Sequence, residues 1–160
     1  MIEVTPFTVL IDTREQAPWL FKGLEVDQKP ETQLIVQYQK ATLKTGDYTL
    51  EGYQDEFAIE RKSLEDAFQT FGRGRDRFER ELERMADLKF ACVIVEADWT
   101  AVFLDPPKHS KLKPKTVSRS IIAWSQRYGV HFWLMPTRRM AEQAAYRMLS
   151  RWYEDHHEKD

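Results

Sequence analysis

Apolar and polar residues alternate along several short stretches of the chain and recur every three or four residues along longer ones. The period-two runs predict strands over residues 7–12, 34–42, 47–50, 57–61, 90–95 and 131–135. The helical spacing predicts a short helix that begins at Ser63, whose hydroxyl can cap it. A second helix is expected over about 77–88, with Phe78, Leu82 and Met85 inward and the Arg77, Glu81 and Arg84 pairs on the surface. A third follows over about 114–128, opened by Pro114 and closed by Gly129, with Val117, Ile121, Trp124 and Tyr128 as its apolar stripe. A last helix, capped by Thr137, reaches about residue 153, with Met140, Ala144, Met148 and Trp152 at spacing four. Residues 16–32 read as a loop broken by Pro18 and Pro30, which Trp19 and Phe21 pin to the body. Residues 71–76 read as a flexible, arginine-rich turn.

Strands interrupted by helices predict an α/β fold with a mixed sheet. The alternation also predicts the register of its central hairpin. Placing Tyr48 opposite Ile59 and Leu50 opposite Phe57 puts all four on one face. Asp47 then faces Glu60 on the other, with Lys62 two residues on. In that register Glu51 opposes Glu56, an unfavourable like-charge pair that a slip or bulge would relieve.

The chain has 160 residues, enough for one compact domain: a core over about 7–135, the last helix over about 137–153, and a charged tail, 154–160, that includes His156 and His157. No apolar run approaches the eighteen or so residues a membrane helix needs, so no membrane partner is expected. The beginning of the sequence lacks signal-peptide character. The single cysteine, Cys92, sits in an apolar run and reads as a buried small hydrophobe; these features point to a cytoplasmic setting.

The net charge of −2 hides an asymmetry. Between Pro106 and Ala141 there is no Asp or Glu, while Lys108, Lys111, Lys113, Lys115, Arg119, Arg127, Arg138 and Arg139 fall within it. A basic segment beside an acidic site suits DNA, whose phosphates the carboxylates would otherwise repel. The acidic site is the hairpin face itself. Two carboxylates close together on a strand pair offer hard oxygen ligands to Mg²⁺ or Mn²⁺, and a neighbouring lysine can orient water and stabilise charge on a phosphorane-like centre.

Four motifs in order give this reading its specificity: Ile11-Asp12-Thr13-Arg14-Glu15; Gly46-Asp47-Tyr48 followed by Glu60-Arg61-Lys62 and Asp66; Gly74-Arg75 followed by Arg77-Phe78, Glu81 and Arg84-Met85; and the strand ending Val93-Ile94-Val95-Glu96. Together they resemble the XPF/Mus81 (ERCC4-type) nuclease domain. The sequence departs from that pattern where Glu81 replaces Gln, where Met85 replaces Leu, and where Asp76 and Arg77 are inserted before Phe78.

The resemblance implies a restriction-endonuclease-like (PD-(D/E)XK) core and a metal-dependent DNA endonuclease acting at branched, flap or junction DNA, leaving a 5′-phosphate and a 3′-hydroxyl. It implies that Asp47 and Glu60 bind the cation with the Arg61 main-chain carbonyl, that Lys62 meets the scissile phosphate, and that Asp12 and Glu15 approach from the neighbouring strand end. Arg14, Arg73, Arg75, Arg77, Lys111, Lys113, Lys115 and Arg119 become candidate DNA contacts. The compact form fits a bacterial or phage protein. Larger relatives carry helix-hairpin-helix modules, for which the sequence shows no candidate. Substrate choice is then expected to come from the basic segment, from a homodimer or from a protein partner. The competing readings are another PD-(D/E)XK enzyme, of resolvase or restriction type, and a non-catalytic DNA-binding subunit.

Overall fold

A computed structural model describes residues 1–158. Seven strands form one mixed sheet: β1 (Ile2–Asp12), β2 (Leu24–Val26), β3 (Lys29–Ala41), β4 (Tyr48–Leu50), β5 (Phe57–Lys62), β6 (Phe90–Val95) and β7 (His131–Leu134). Their spatial order is β2-β3-β1-β4-β5-β6-β7. β1 runs parallel to β3, and β5, β6 and β7 are mutually parallel, while β4 is antiparallel to both of its neighbours.

Helices cover the two faces unequally. α1 (Leu64–Phe71), α2 (Arg75–Ala86) and α4 (Pro114–Tyr128) bury Phe68, Phe71, Phe78, Leu82, Met85 and Trp124 against Val93 and Val95, on what is here called the front face. α5 (Arg138–His156) packs on the rear, closing a second core around Val9, Ile11, Tyr48, Leu50, Phe57 and Ile59. Fully burying one such apolar side chain stabilises the fold by about 1.5–3 kcal/mol.

Of the predicted hairpin register, Tyr48 opposite Ile59 is present; Leu50 and Phe57 share the rear core but are not laddered. The ladder is short, because the chain turns after Leu50 through Gly52 (φ +91°). Glu51 is therefore never opposed to Glu56, which pairs instead with Lys89 at 2.5 Å. Ser63 caps α1 by accepting from the Asp66 N–H at 3.1 Å, and Thr137 caps α5 through the Met140 N–H at 3.1 Å. Gly129 closes α4 at φ +65°.

Three expectations are corrected and one element is added. The 16–32 segment contains β2 and the start of β3; Trp19 and Phe21 are buried in it, as expected. Residues 99–104 form a further helix, α3 (Trp99–Leu104). The arginine-rich turn is only a short break, since α2 already starts at Arg75. The buried stripe of α5 is Ala141, Ala145 and Leu149, with Met148 and Trp152 at its margin and Met140 exposed. That helix runs on to His156, whose ring stacks on Trp152 at 3.6 Å. Lys159 and Asp160 of the expected tail lie outside the described residues.

Candidate active site

Strand alternation sends Glu60 and Lys62 of β5 to the front, beside α2, and Arg61 to the rear. Asp47 enters from the turn before β4 and its backbone is held on both sides. Its N–H donates to Ile59 O at 2.8 Å, and its carbonyl accepts from the Asp12 N–H at 2.8 Å. Its Oδ2 accepts from the Arg61 N–H at 2.8 Å. Gly46 precedes it at φ +77°, where an added Cβ would lie 2.9 Å from Ala58 Cβ and 3.1 Å from Ile59 O, so no other residue fits without displacement.

Asp47, Glu60 and Lys62 sit together at the base of a cleft of about 1460 Å³. Lys62 Nζ lies 3.3 Å from Glu60 Oε1 and 5.3 Å from the centre of the Phe78 ring. Burial pushes the Asp47 carboxyl up to about 6, with the Arg61 N–H opposing the rise and the Glu15 charge adding to it. Burial first, then the Asp47 charge, holds Glu60 well above the usual carboxylate range; Lys62 opposes this and Glu81 adds to it. These acids are enclosed and mutually repelling, with one lysine beside Glu60, an arrangement a divalent cation would relieve. Among the described residues no three His, Cys, Asp or Glu side chains converge tightly enough to hold a metal on their own. Two carboxylates still fit Mg²⁺ or Mn²⁺, because Mg²⁺ commonly takes one or two protein carboxylates and completes its shell with water and phosphate oxygens. The Arg61 carbonyl points to the same side of β5 as the Ile59 carbonyl that meets Asp47, as alternation requires.

The other predicted acids are placed differently. Asp12 is on the cleft wall, but its oxygens accept from Arg14 Nε at 2.8 Å and the Leu43 N–H at 3.0 Å. Glu15 does not reach the cleft. It turns to the rear face, where its two oxygens accept from Arg61 at 2.8 and 3.0 Å and Oε2 also from the Tyr48 hydroxyl at 3.3 Å. Arg61 also donates to Glu96 at 2.7 Å, and Glu96 accepts from the Trp19 indole at 3.0 Å. Cys92 is buried, and burial pushes its thiol up to about 12, which leaves it no part in the chemistry.

Of the predicted DNA contacts, Arg14, Arg73, Arg77 and Lys111 line the cleft. Arg75 does not: it donates to Ser120 Oγ at 2.7 Å and lies 4.5 Å above the Trp124 ring, bracing α2 against α4. Lys113, Lys115 and Arg119 are exposed outside the cleft lining. Lys44, Arg84, Lys108 and His109 join the rim instead. Glu81 was expected to be a solvated surface residue, yet it lines the cleft and accepts from the Gly46 N–H at 3.1 Å. The sequence carried a signal for it: Phe78, Glu81, Leu82 and Met85 follow the i, i+3, i+4, i+7 spacing, which places a carboxylate on the inward stripe of α2. A smaller hollow of about 480 Å³, between β2 and α5, shares none of these residues.

The sequence matches the ERCC4 domain over residues 11–147. The chain belongs to the ERCC4 domain family. Among solved structures it is similar to XPF from Aeropyrum pernix, at TM-score 0.64 and 18% identity over 92% of this chain and 66% of that one. It is equally similar to the same protein in complex with DNA, at TM-score 0.64 and 17% identity over 96% of this chain and 68% of that one. The chain thus spans about two thirds of the XPF chains it resembles. No curated protein sequence matches it. The sheet flanked by helices is the restriction-endonuclease-like fold of this family, and among the described residues no helix is long and apolar enough to cross a membrane.

Proposed function

We propose that this chain is a divalent-cation-dependent endonuclease that hydrolyses phosphodiester bonds in branched, flap or junction DNA. The observation that carries this reading is the pair of enclosed carboxylates, Asp47 and Glu60, beside Lys62 at the base of a cleft with a basic rim. Membership of the ERCC4 domain family supports it, as does the existence of a DNA complex of the similar XPF protein.

Asp47 and Glu60 would hold Mg²⁺ or Mn²⁺, with the Arg61 carbonyl as a further oxygen. A bound cation would supply Lewis-acid activation of a phosphoryl oxygen and a water of lowered pKa. Lys62 places its ammonium where negative charge grows on the phosphorane-like centre, and it orients the attacking water. The Phe78 ring and Glu60 fix that ammonium before DNA arrives, so little reorganisation is needed during reaction. Asp12 acts indirectly: by engaging Arg14 and the Leu43 N–H it secures the segment that leads to Asp47. Arg73, Arg77, Lys108 and Lys111 draw the phosphate backbone across the cleft.

The test is cleavage of labelled flap, splayed-arm, Holliday-junction and plain duplex DNA in Mg²⁺ and Mn²⁺, with Lys62→Ala as control. Cutting near the junction that disappears in the variant is the expected result. Cutting at fixed positions on plain duplex would replace it with a restriction-type enzyme. Binding without cutting in either metal would replace it with a non-catalytic DNA-binding subunit.

A further inference from the structure

Among the described residues, helix α2 reaches the turn that carries Asp47 through one polar contact, between Glu81 Oε1 and the Gly46 N–H. Gly46 is held in a left-handed conformation with no room for a side chain, and it hands the chain directly to Asp47. The ladder between β4 and β5 begins only after this turn, at Tyr48. The amide of Gly46 is therefore fixed by a side chain, one residue before backbone pairing takes over at the Asp47 N–H and carbonyl. The other oxygen of Glu81 pairs with Arg84 one turn later, which sets the rotamer that aims Oε1 at Gly46. Leu82 and Phe78 bury the same helix firmly in the front core, so the anchor is rigid.

We propose that Glu81 is a positioning residue: its carboxylate oxygen clamps the Gly46 amide and so fixes the Asp47 carboxylate opposite Glu60. The proposal rests on the nuclease reading for its catalytic consequence but not for its structural one. What Asp47 requires is an acceptor at position 81, and a glutamine supplies one of the same length. A displacement of the order of 1 Å at a reacting centre can reduce turnover about a hundredfold, so loss of the clamp is felt in rate before it is felt in binding.

Three readouts on the full chain test this, using Glu81→Gln and Glu81→Ala, with circular-dichroism melting to confirm that both fold. The first is amide exchange of Gly46 and Asp47 by NMR. The second is Mn²⁺ binding by titration calorimetry without DNA. The third is kcat at saturating Mn²⁺. Glu81→Ala is expected to speed Gly46 exchange about tenfold or more, weaken Mn²⁺ binding several-fold and lower kcat about tenfold or more. Glu81→Gln should stay within about threefold of the parent in all three. Equal losses in both variants would overturn the proposal, because the charge of Glu81 and not its hydrogen bond would then matter. Unchanged Gly46 exchange in Glu81→Ala would overturn it as well. If the parent chain cuts no DNA, the nuclease reading fails alone, and the exchange and calorimetry arms still decide the role of Glu81.

Discussion

Strand β5 carries charge on both faces, and the two faces handle it in opposite ways. On the rear, Arg61 meets Glu15 and Glu96, and all four carboxylate oxygens have a donor from Arg61, Tyr48 or Trp19. Arg138 stands 3.6 Å from Glu96 and completes the balance. On the front, among the described residues, Glu60 has only Lys62 as a cationic partner and Asp47 Oδ1 has no donor at all. Adjacent residues of one strand thus belong to a satisfied ion network and to a frustrated pair. A network with every oxygen paired gains rigidity and has nothing left to offer a ligand. A pair held in an enclosed pocket with surplus negative charge lowers stability, and a bound cation would relieve it.

The comparison breaks most visibly in activity. Lys62→Ala and Asp47→Asn should each reduce cleavage at least about a hundredfold, since each removes a group that acts on the developing charge or on the cation. DNA affinity measured in Ca²⁺ should change little. Cleavage retained in both would place the chemistry elsewhere. On the rear face the loss appears in stability. Arg61→Met strands Glu15 and Glu96, whose side chains are 9% and 8% exposed, and should destabilise by about 3–5 kcal/mol in urea denaturation. A loss below about 1 kcal/mol, the level of exposed surface pairs, would mean the network is no tighter than those.

The front face should show the opposite sign. In EDTA at pH 7, Asp47→Asn is expected to stabilise the chain by on the order of 1–2 kcal/mol while abolishing cleavage. The direction with pH follows from the raised carboxyl. Asp47 titrates near 6 in the folded chain against an ordinary value of 3.8, so the folded state holds more protons between the two. Stability contributed by this group is therefore present below about 4 and lost as pH rises to about 6, and Asp47→Asn should flatten that slope. Mn²⁺ should raise the melting temperature of the parent and not that of Asp47→Asn. The smallest effects belong to the rim: Arg73→Ala or Lys111→Ala should weaken DNA binding a few-fold and lower the salt slope by about one, whereas Arg75→Ala should act on stability.

How much of this was legible in the sequence depended on the range of the interaction. The hairpin register followed from two alternating runs, because a one-residue slip would turn every apolar side chain outward. The caps at Ser63, Thr137 and Gly129 are likewise local chemistry. β2 and α3 are three and six residues long, too short for a period to emerge. Glu15 and Arg75 sat in the right motifs but were claimed by distant partners: Arg61, forty-six residues away, and Ser120, forty-five residues away. No local pattern encodes such a choice. Glu81 was readable in principle from its place on the inward stripe, and was obscured by an equally plausible surface pair with Arg84.

β4 joins two otherwise separate blocks of sheet. Its three residues pair with β1, but only Tyr48 is laddered to β5. On one side stand β2, β3 and β1; on the other, β5, β6 and β7, with α5 lying behind strands of both and the front helices covering β6 and β7. Backbone pairing is sparsest at this seam, and the acids of the cleft flank it: Asp47 comes from the turn before β4 and Glu60 from β5. A cation held by both acids would add a cross-link where the backbone ladder is sparsest, so metal binding and the mechanical coherence of the sheet would become one event.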